Sequence, residues 1–458
     1  MFTNTPPEPG RTCANHTPWM IRELSPSQTS GRYCFARRVV TGMKHEQDST
    51  PGASPERTMT KPATPPDTPQ PETRLVHTGR RPTRSYGVVN PPLVRGSTVL
   101  HPSIAAKAEI GRKALEPVEN YGLMGTQTHF ALEAAIAEIE GGLRTQVTGS
   151  GLSAITVPLL AYLRTGDHIL VPDSVYGPTR TFCDGPLRRY GIETSYYDPM
   201  ATAEALRPYL RPNTRVLFTE SPGSHTFEVQ DIPALAALAH EHGAKLFLDN
   251  TWGIHHFQPF RYGVDVSIQA LTKYPGGHSD IILGAVTVNT EEDWRWLRIG
   301  SLELGNYASP DDCWLALRGI RTMLVRLKAQ EQAALRIAAW LQNQPEVARI
   351  LHPAFPSCPG HEFFKRDFTG GCGLFSVVYQ PQYSAADVVR MIDGLRLFGI
   401  GASWGGYESL VLPTTGTIRR TEGTGLFEGP IARFHIGLEN VDELIEDLDQ
   451  GLAILRGA

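Results

Sequence analysis

Lys273 stands in SIQALTKYPGGHSD (267–280), after a short apolar run and before a glycine pair, where the backbone must turn beside a cavity. Asp249 closes the apolar run KLFLD (245–249) and is followed by Asn250, Thr251 and Trp252. An acid at the C-terminal end of a central parallel strand points into the crevice where α/β sheets bind ligands. An amine and a carboxylate so placed suit carbonyl chemistry on a nitrogen heterocycle: the lysine forms a Schiff base and the acid pairs with a protonated ring nitrogen. Tyr176, in DSVYGPT (173–179), follows another apolar run and can lay its ring over a planar cofactor. Arg433 lies inside the run ARFHIGL (432–438), where a charge is costly unless paired, and its planar fork suits a carboxylate. Each residue also has a plainer reading. Lys273 can be a surface lysine, Asp249 a helix cap, Tyr176 loop packing and Arg433 half of an internal salt bridge.

Gly149-Ser150-Gly151 follows RTQV (144–147) and opens a helix, whose free N–H groups and dipole can hold a phosphate. The same GxGxxA pattern, with Asp173 roughly 20 residues on, also imitates a dinucleotide fingerprint. A ligand-free turn fits it equally well.

These residues need elements to carry them. HILVP (168–172), RVLFTE (215–220) and KLFLD (245–249) read as buried strands, with the helical pattern IPALAALAHEHG (232–243) between the last two. Strand–helix–strand alternation predicts a parallel sheet covered on both faces. ALEAAIAEIE (131–140) has a helical apolar face stopped by Gly141-Gly142. A long helical pattern over 315–343, broken only by Gly319, leads to a smaller C-terminal α/β unit. That unit ends in a strand at 432–438 and the amphipathic helix VDELIEDLDQGLAILRG.

The composition closes off other classes. Of 458 residues, 43 are Lys or Arg and 47 are Asp or Glu, for a net charge of −4, so no basic field suits a nucleic-acid backbone. The most apolar stretch, 151–163, is too short to span a bilayer and carries Ser153, Thr156 and Pro158, so no membrane partner is expected. Six cysteines without a CxxC spacing read as free thiols of a reducing compartment, which predicts a cytoplasmic location. His352, Cys358, His361 and Cys372 match no zinc spacing, and no metal is expected. Residues 1–72 hold 12 of the 36 prolines and no apolar periodicity, the composition of a disordered extension. Met59 offers a plausible alternative start.

Seven segments, in order, resemble the Cys/Met-metabolism family of pyridoxal-phosphate enzymes. They are NPPLVRGSTVL (90–100), YGLMGTQTHFALE (121–133), ESPGSHTFEVQDIPA (220–234), LDNTWG (248–253), SIQALTKYPGGHSD (267–280), SWGGYESL (403–410) and RFHIGLENVDELIEDLD (433–449). The resemblance implies a fold-type I enzyme with an N-terminal arm (73–123), a large, mostly parallel-sheet cofactor domain (124–318) and a C-terminal α/β domain (319–458). It implies that Lys273 holds pyridoxal 5'-phosphate and moves the substrate Cα proton, that Asp249 keeps the pyridine nitrogen protonated, and that Tyr176 stacks on the ring. The amides of Gly151 and Leu152 and the Thr272 hydroxyl would hold the phosphate. Tyr121 would reach into a neighbouring subunit's site, which implies a homodimer, within a tetramer. Arg433 would bind the substrate carboxylate, with Ser403 and Trp404 lining that side. The implied reaction is β-elimination on an amino-acid thioether, L-cystathionine, giving homocysteine, pyruvate and ammonia. Ala270, where γ-acting relatives carry Ser, and SWGGYESL favour β over γ chemistry.

Two positions depart from the family pattern. Leu123 replaces an arginine that neutralises the phosphate, with Arg95, Arg112 and Lys113 as candidate substitutes. Leu302 replaces a tyrosine near the distal end of the substrate, which keeps other cysteine-S-conjugate or cystine lyases and γ-acting relatives open. An NAD-dependent dehydrogenase or a non-catalytic binding protein would leave Lys273, Asp249 and Arg433 without roles.

Overall fold

The computed structural model describes residues 69–84, 87–422 and 427–457. Most of the expected Pro-rich extension lies outside them. At its expected end, a helix already begins at Pro71 and runs to His77.

The larger sheet has seven strands: β1 (Arg144–Thr148), β2 (His168–Pro172), β3 (Glu193–Tyr197), β4 (Thr214–Glu220), β5 (Lys245–Asp249), β6 (Val266–Gln269) and β7 (Gly284–Val288), in the order β1-β7-β6-β5-β4-β2-β3. β3, β2, β4, β5 and β6 pair in parallel. Every residue of β2, β6 and β7 is buried, as a sheet covered on both faces requires. β7 is the exception to the expected parallel order, because it pairs antiparallel with both β6 and β1. The chain between β6 and β7 contains no crossover helix, and without one the returning strand runs antiparallel. That connection contains Lys273.

The local signals act as their chemistry dictates. Gly141 ends the helix Gln127–Glu140 in the left-handed region, at φ 74°. Ser150 caps the helix Gly151–Tyr162 by accepting the Ser153 N–H. Asp231 caps Ile232–Glu241, which packs against the sheet through Leu235, Ala236, Leu238 and Ala239. Ser309 caps the 33-residue helix Pro310–Gln342, with Pro310 in its first turn.

That long helix leads into the second sheet, made of β8 (Val347–Leu351), β9 (Leu374–Tyr379), β10 (Gly399–Ile400), β11 (Leu410–Pro413) and β12 (Ile431–His435), in the order β10-β11-β12-β9-β8. The sheet is mainly antiparallel, with only β10 and β11 parallel. The helices Ala385–Asp393 and Val441–Arg456 pack on it through Val388, Met391, Ile392, Leu444, Leu448 and Leu452. The helix runs unbroken through Gly319, which serves packing: a Cβ there would collide with the Pro275 carbonyl oxygen, in the segment that carries Lys273.

Candidate active site

The C-terminal ends of β4, β5 and β6 supply one wall of the site. Asp249 is the last residue of β5, and its Oδ1 accepts the Thr251 N–H (3.0 Å) and hydroxyl (2.6 Å). Burial raises its proton affinity, while Thr251 and Lys273 oppose that shift. Past β6 the chain closes a tight turn, with Lys273 N–H on the Ala270 carbonyl and Gly277 N–H on the Lys273 carbonyl. Three neighbours hold this turn. Arg326 donates to the Tyr274 and Gly319 carbonyls, both at 2.8 Å. The Tyr274 hydroxyl accepts the Gly373 N–H. Gly405, at φ 86°, presses so close that a Cβ would sit 2.9 Å from the Lys273 carbonyl carbon.

Lys273 Nζ donates to Ser403 Oγ at 2.6 Å and lies 5.3 Å from the centre of the Trp404 ring. Burial and the positive charge of Arg433 pull its amine down to about 8, with Asp249 opposing. Arg433, on β12, donates through Nη2 to the Ser403 carbonyl at 3.2 Å, and burial lowers its own value to about 10. Among the described residues no carboxylate pairs with this guanidinium, so the salt-bridge reading of Arg433 does not hold. Ser403, at φ 79°, therefore ties amine and guanidinium together, its hydroxyl on one and its carbonyl on the other. Tyr176 precedes the short helix Gly177–Phe182 with its side chain partly open, and its phenol feels burial, Asp249, Glu220 and Arg433 in that order.

The helix Gly151–Tyr162 brings a different resource. Ser150 occupies the Ser153 and Ala154 amides, which leaves the Gly151 and Leu152 N–H groups outside the intrahelical ladder. A Cβ on Gly151 would meet the Ala270 Cβ at 2.7 Å, so the helix end and the Lys273 turn are in contact. The Ala270 N–H donates to Thr251 Oγ1, linking this turn to Asp249. Thr272 departs from its expected freedom: its hydroxyl donates to the Leu283 carbonyl (3.2 Å) and accepts the Leu283 N–H (3.0 Å). Its proton must leave that carbonyl before it can serve a phosphate.

Tyr121 stands apart from these groups, on an exposed arm bridged to Thr98. Leu123 lines a small cavity with Met124, His129, Glu133, Asn306 and Tyr307. Arg298 holds this arm by donating to the Met124 carbonyl at 2.6 Å. Of the candidate substitutes for the missing arginine, Arg95 is paired with Asp311 and Lys113 with Glu109. Asp173 is spent structurally, which removes the dinucleotide reading. It pairs with Arg180 in the interior and accepts from the Thr421 hydroxyl and the Thr421 and Glu422 amides. His352, His361 and Cys358 are bonded to backbone carbonyls of Cys372, Pro353 and Phe227.

Sequence reasoning gave Glu220 no role. It ends β4 in register with Asp249, is buried, and its Oε2 accepts the Tyr176 N–H at 2.7 Å. The signal was present, since RVLFTE ends in an acid just as KLFLD does.

Two sheets whose crevice gathers a half-buried lysine of lowered basicity, a strand-end aspartate, a free helix N-terminus and an arginine that no described carboxylate pairs define a fold-type I pyridoxal-phosphate enzyme. The sequence profile described as Cys/Met metabolism PLP-dependent enzyme matches residues 72–453, and the chain belongs to that family. It is 43% identical over 388 residues to a cystathionine beta-lyase of Bordetella avium, covering 83% of this chain and 97% of that one. It is 40% identical over 388 residues to a cystathionine beta-lyase of Escherichia coli, covering 83% and 98%. A crystal structure of metB from Corynebacterium glutamicum matches with a TM-score of 0.77 at 28% identity, over 84% of this chain and 98% of that chain. Among the described residues no helix is long and apolar enough to cross a membrane.

Proposed function

We propose that this enzyme is a cystathionine β-lyase that cleaves L-cystathionine to homocysteine, pyruvate and ammonia, a carbon–sulfur bond cleavage serving methionine synthesis in the cytoplasm. One observation carries the reading: Ser403 joins the Lys273 amine to the Arg433 guanidinium, with Asp249 acting on the same amine. A base for Cα and a fork for the carboxylate of one amino acid are thereby set side by side.

The residues suit pyridoxal phosphate on three counts. Gly151 and Leu152 offer amides without intrahelical partners to a phosphate, in a cradle that a Cβ at Gly151 would fill. Asp249 has both Thr251 bonds on Oδ1, and no other described residue donates to this carboxylate, so Oδ2 is open to a ring N–H. Lys273 is basic enough to hold a proton and weak enough to lose it near neutrality. When bound, pyridoxal phosphate supplies the electron sink that makes a Cα–H bond of an amino acid breakable.

The remaining work belongs to the chain. Arg433 grips the α-carboxylate, and Ser403 and Trp404 shape that side, which fixes the orientation of Cα–H. Lys273, hydrogen-bonded to Ser403, takes the Cα proton and returns one to the departing sulfur. Asp249 would hold the ring nitrogen's proton, and Tyr176 would lie against the ring face. Tyr121 acts on the site of a second subunit, so the active species is at least a homodimer. Leu123 gives up one charge-assisted bond to the phosphate.

The substrate assignment is tested by comparing kcat/KM for L-cystathionine, L-cystine and S-methyl-L-cysteine on enzyme loaded with pyridoxal phosphate. L-Cystathionine is expected to be preferred by at least about tenfold. Equal or faster turnover of L-cystine would make the enzyme a general cysteine-S-conjugate lyase.

A further inference from the structure

We propose that Glu220 is a positioning residue of the cofactor pocket, setting where Tyr176 stacks and completing a carboxylate pair with Asp249. This rests on the cofactor reading above and adds a residue to it.

β4 and β5 are parallel neighbours, and Glu220 and Asp249 are register partners at their last positions. Register partners in a parallel pair face the same side, so both carboxylates leave the sheet into the same crevice. Glu220 then turns its Oε2 to the backbone N–H of Tyr176. That amide immediately precedes the helix Gly177–Phe182, so its hydrogen bond fixes the backbone from which the ring projects.

The following loop reinforces the contact. The Ser224 N–H donates to the Ser174 carbonyl at 2.9 Å. A Cβ on Gly223 would fall 2.6 Å from Ser174 Oγ, so the loops carrying Glu220 and Tyr176 lie directly against each other. His225 and Phe227 adopt left-handed backbone (φ 66° and 58°), a conformation that side chains tolerate only when their surroundings impose it.

An amide carbonyl could also accept the Tyr176 N–H, yet an acid occupies this place beside a second acid. A buried carboxylate beside a half-buried one on the adjacent strand is unfavourable unless a proton or a cation is shared between them. Burial, with Asp249 adding to it, pushes Glu220 up to about 8. The groups that act on it are Asp249 from β5, the hydroxyl and amide of Ser224 from the loop after β4, and the Tyr176 amide from the loop after β2. One proton shared by the pair leaves a single negative charge for a cationic ring, while Glu220 Oε2 keeps hold of Tyr176.

The test measures the dissociation constant for pyridoxal phosphate and the visible circular dichroism of the bound chromophore, which reports ring orientation. Glu220→Gln keeps an acceptor and the shape, so both readouts are expected within about threefold of the unaltered chain. Glu220→Ala leaves the Tyr176 amide without its acceptor and is expected to weaken cofactor binding about tenfold or more and to change the dichroic band. Glu220→Asp, which shortens the reach, supplies the same comparison should the alanine variant not fold. Alanine and aspartate variants with unaltered affinity and dichroism would overturn the inference, as would a glutamine variant as impaired as the alanine one. If the unaltered chain binds no pyridoxal phosphate, the cofactor reading itself fails. Normal binding in both unaltered and alanine chains defeats only the role of Glu220.

Discussion

The Lys273 amine is made useful by what surrounds it: burial and Arg433 lower its basicity, and Asp249 limits the fall. Its neutral fraction grows as pH rises through about 8, so capture of pyridoxal phosphate by the cofactor-free chain should accelerate through that value and then level off. A capture rate that is flat between pH 6.5 and 9 would contradict this environment. Lys273→Ala removes the base for Cα and is expected to cut kcat by at least about a thousandfold, followed by keto-acid release. Arg433→Ala forfeits a charge-assisted fork, roughly 1.5–3 kcal/mol, or about 10- to 100-fold in kcat/KM. The loss should fall mainly on KM, since the fork binds substrate before and during reaction, and cofactor affinity should stay nearly unchanged. At this scale the sequence was informative where a residue type is unusual for its setting: a lysine at a turn, an arginine in an apolar run, an acid at a strand end. It was silent on Glu220, whose partner is a backbone amide 44 positions away, and on the Thr272 hydroxyl, which Leu283 occupies.

Among elements, those with strong local signals were readable and those defined by their partners were not. The strand KLFLD, the helix after Gly149-Ser150-Gly151 and the C-terminal amphipathic helix carry their own periodicity or caps. β7 looks like any buried strand, and its antiparallel direction is set by how the chain returns from the Lys273 turn. β3 (ETSYY) offers little local signal, because its place depends on pairing with β2. Gly319 shows the reverse case. The sequence marks it as a flaw in a helix, whereas the fold uses the missing side chain to seat the helix on Pro275 and Gly276. Gly319→Ala should therefore destabilise despite alanine's better helix propensity, by about 1–3 kcal/mol, read from urea unfolding. A stabilised variant would show that the helix and the Lys273 turn are not in contact.

In the molecule as a whole, a loop of the smaller sheet is anchored on the rim of the larger one. Asp173, which ends its own buried pair with Arg180, takes the Glu422 amide at 2.7 Å and the Thr421 hydroxyl at 3.0 Å. Arg420 adds a bond to Glu228 at 2.6 Å. Asp173→Asn leaves Arg180 buried without its counter-charge, so a loss of about 3–5 kcal/mol in unfolding free energy is expected by urea titration. An unchanged midpoint would mean that this anchor is not formed. No reading of Asp173 alone could find such a role, because the loop it anchors lies some 250 positions away in the chain. What the sequence did carry at this scale was the order of seven motifs, since a site assembled from distant segments leaves its trace in all of them together. The central claim is β-elimination, and identification of the keto acid released from L-cystathionine by the enzyme with added pyridoxal phosphate tests it most directly. Pyruvate, formed one-for-one with homocysteine, is the expected product; 2-oxobutyrate with cysteine, or no keto acid, would contradict the assignment.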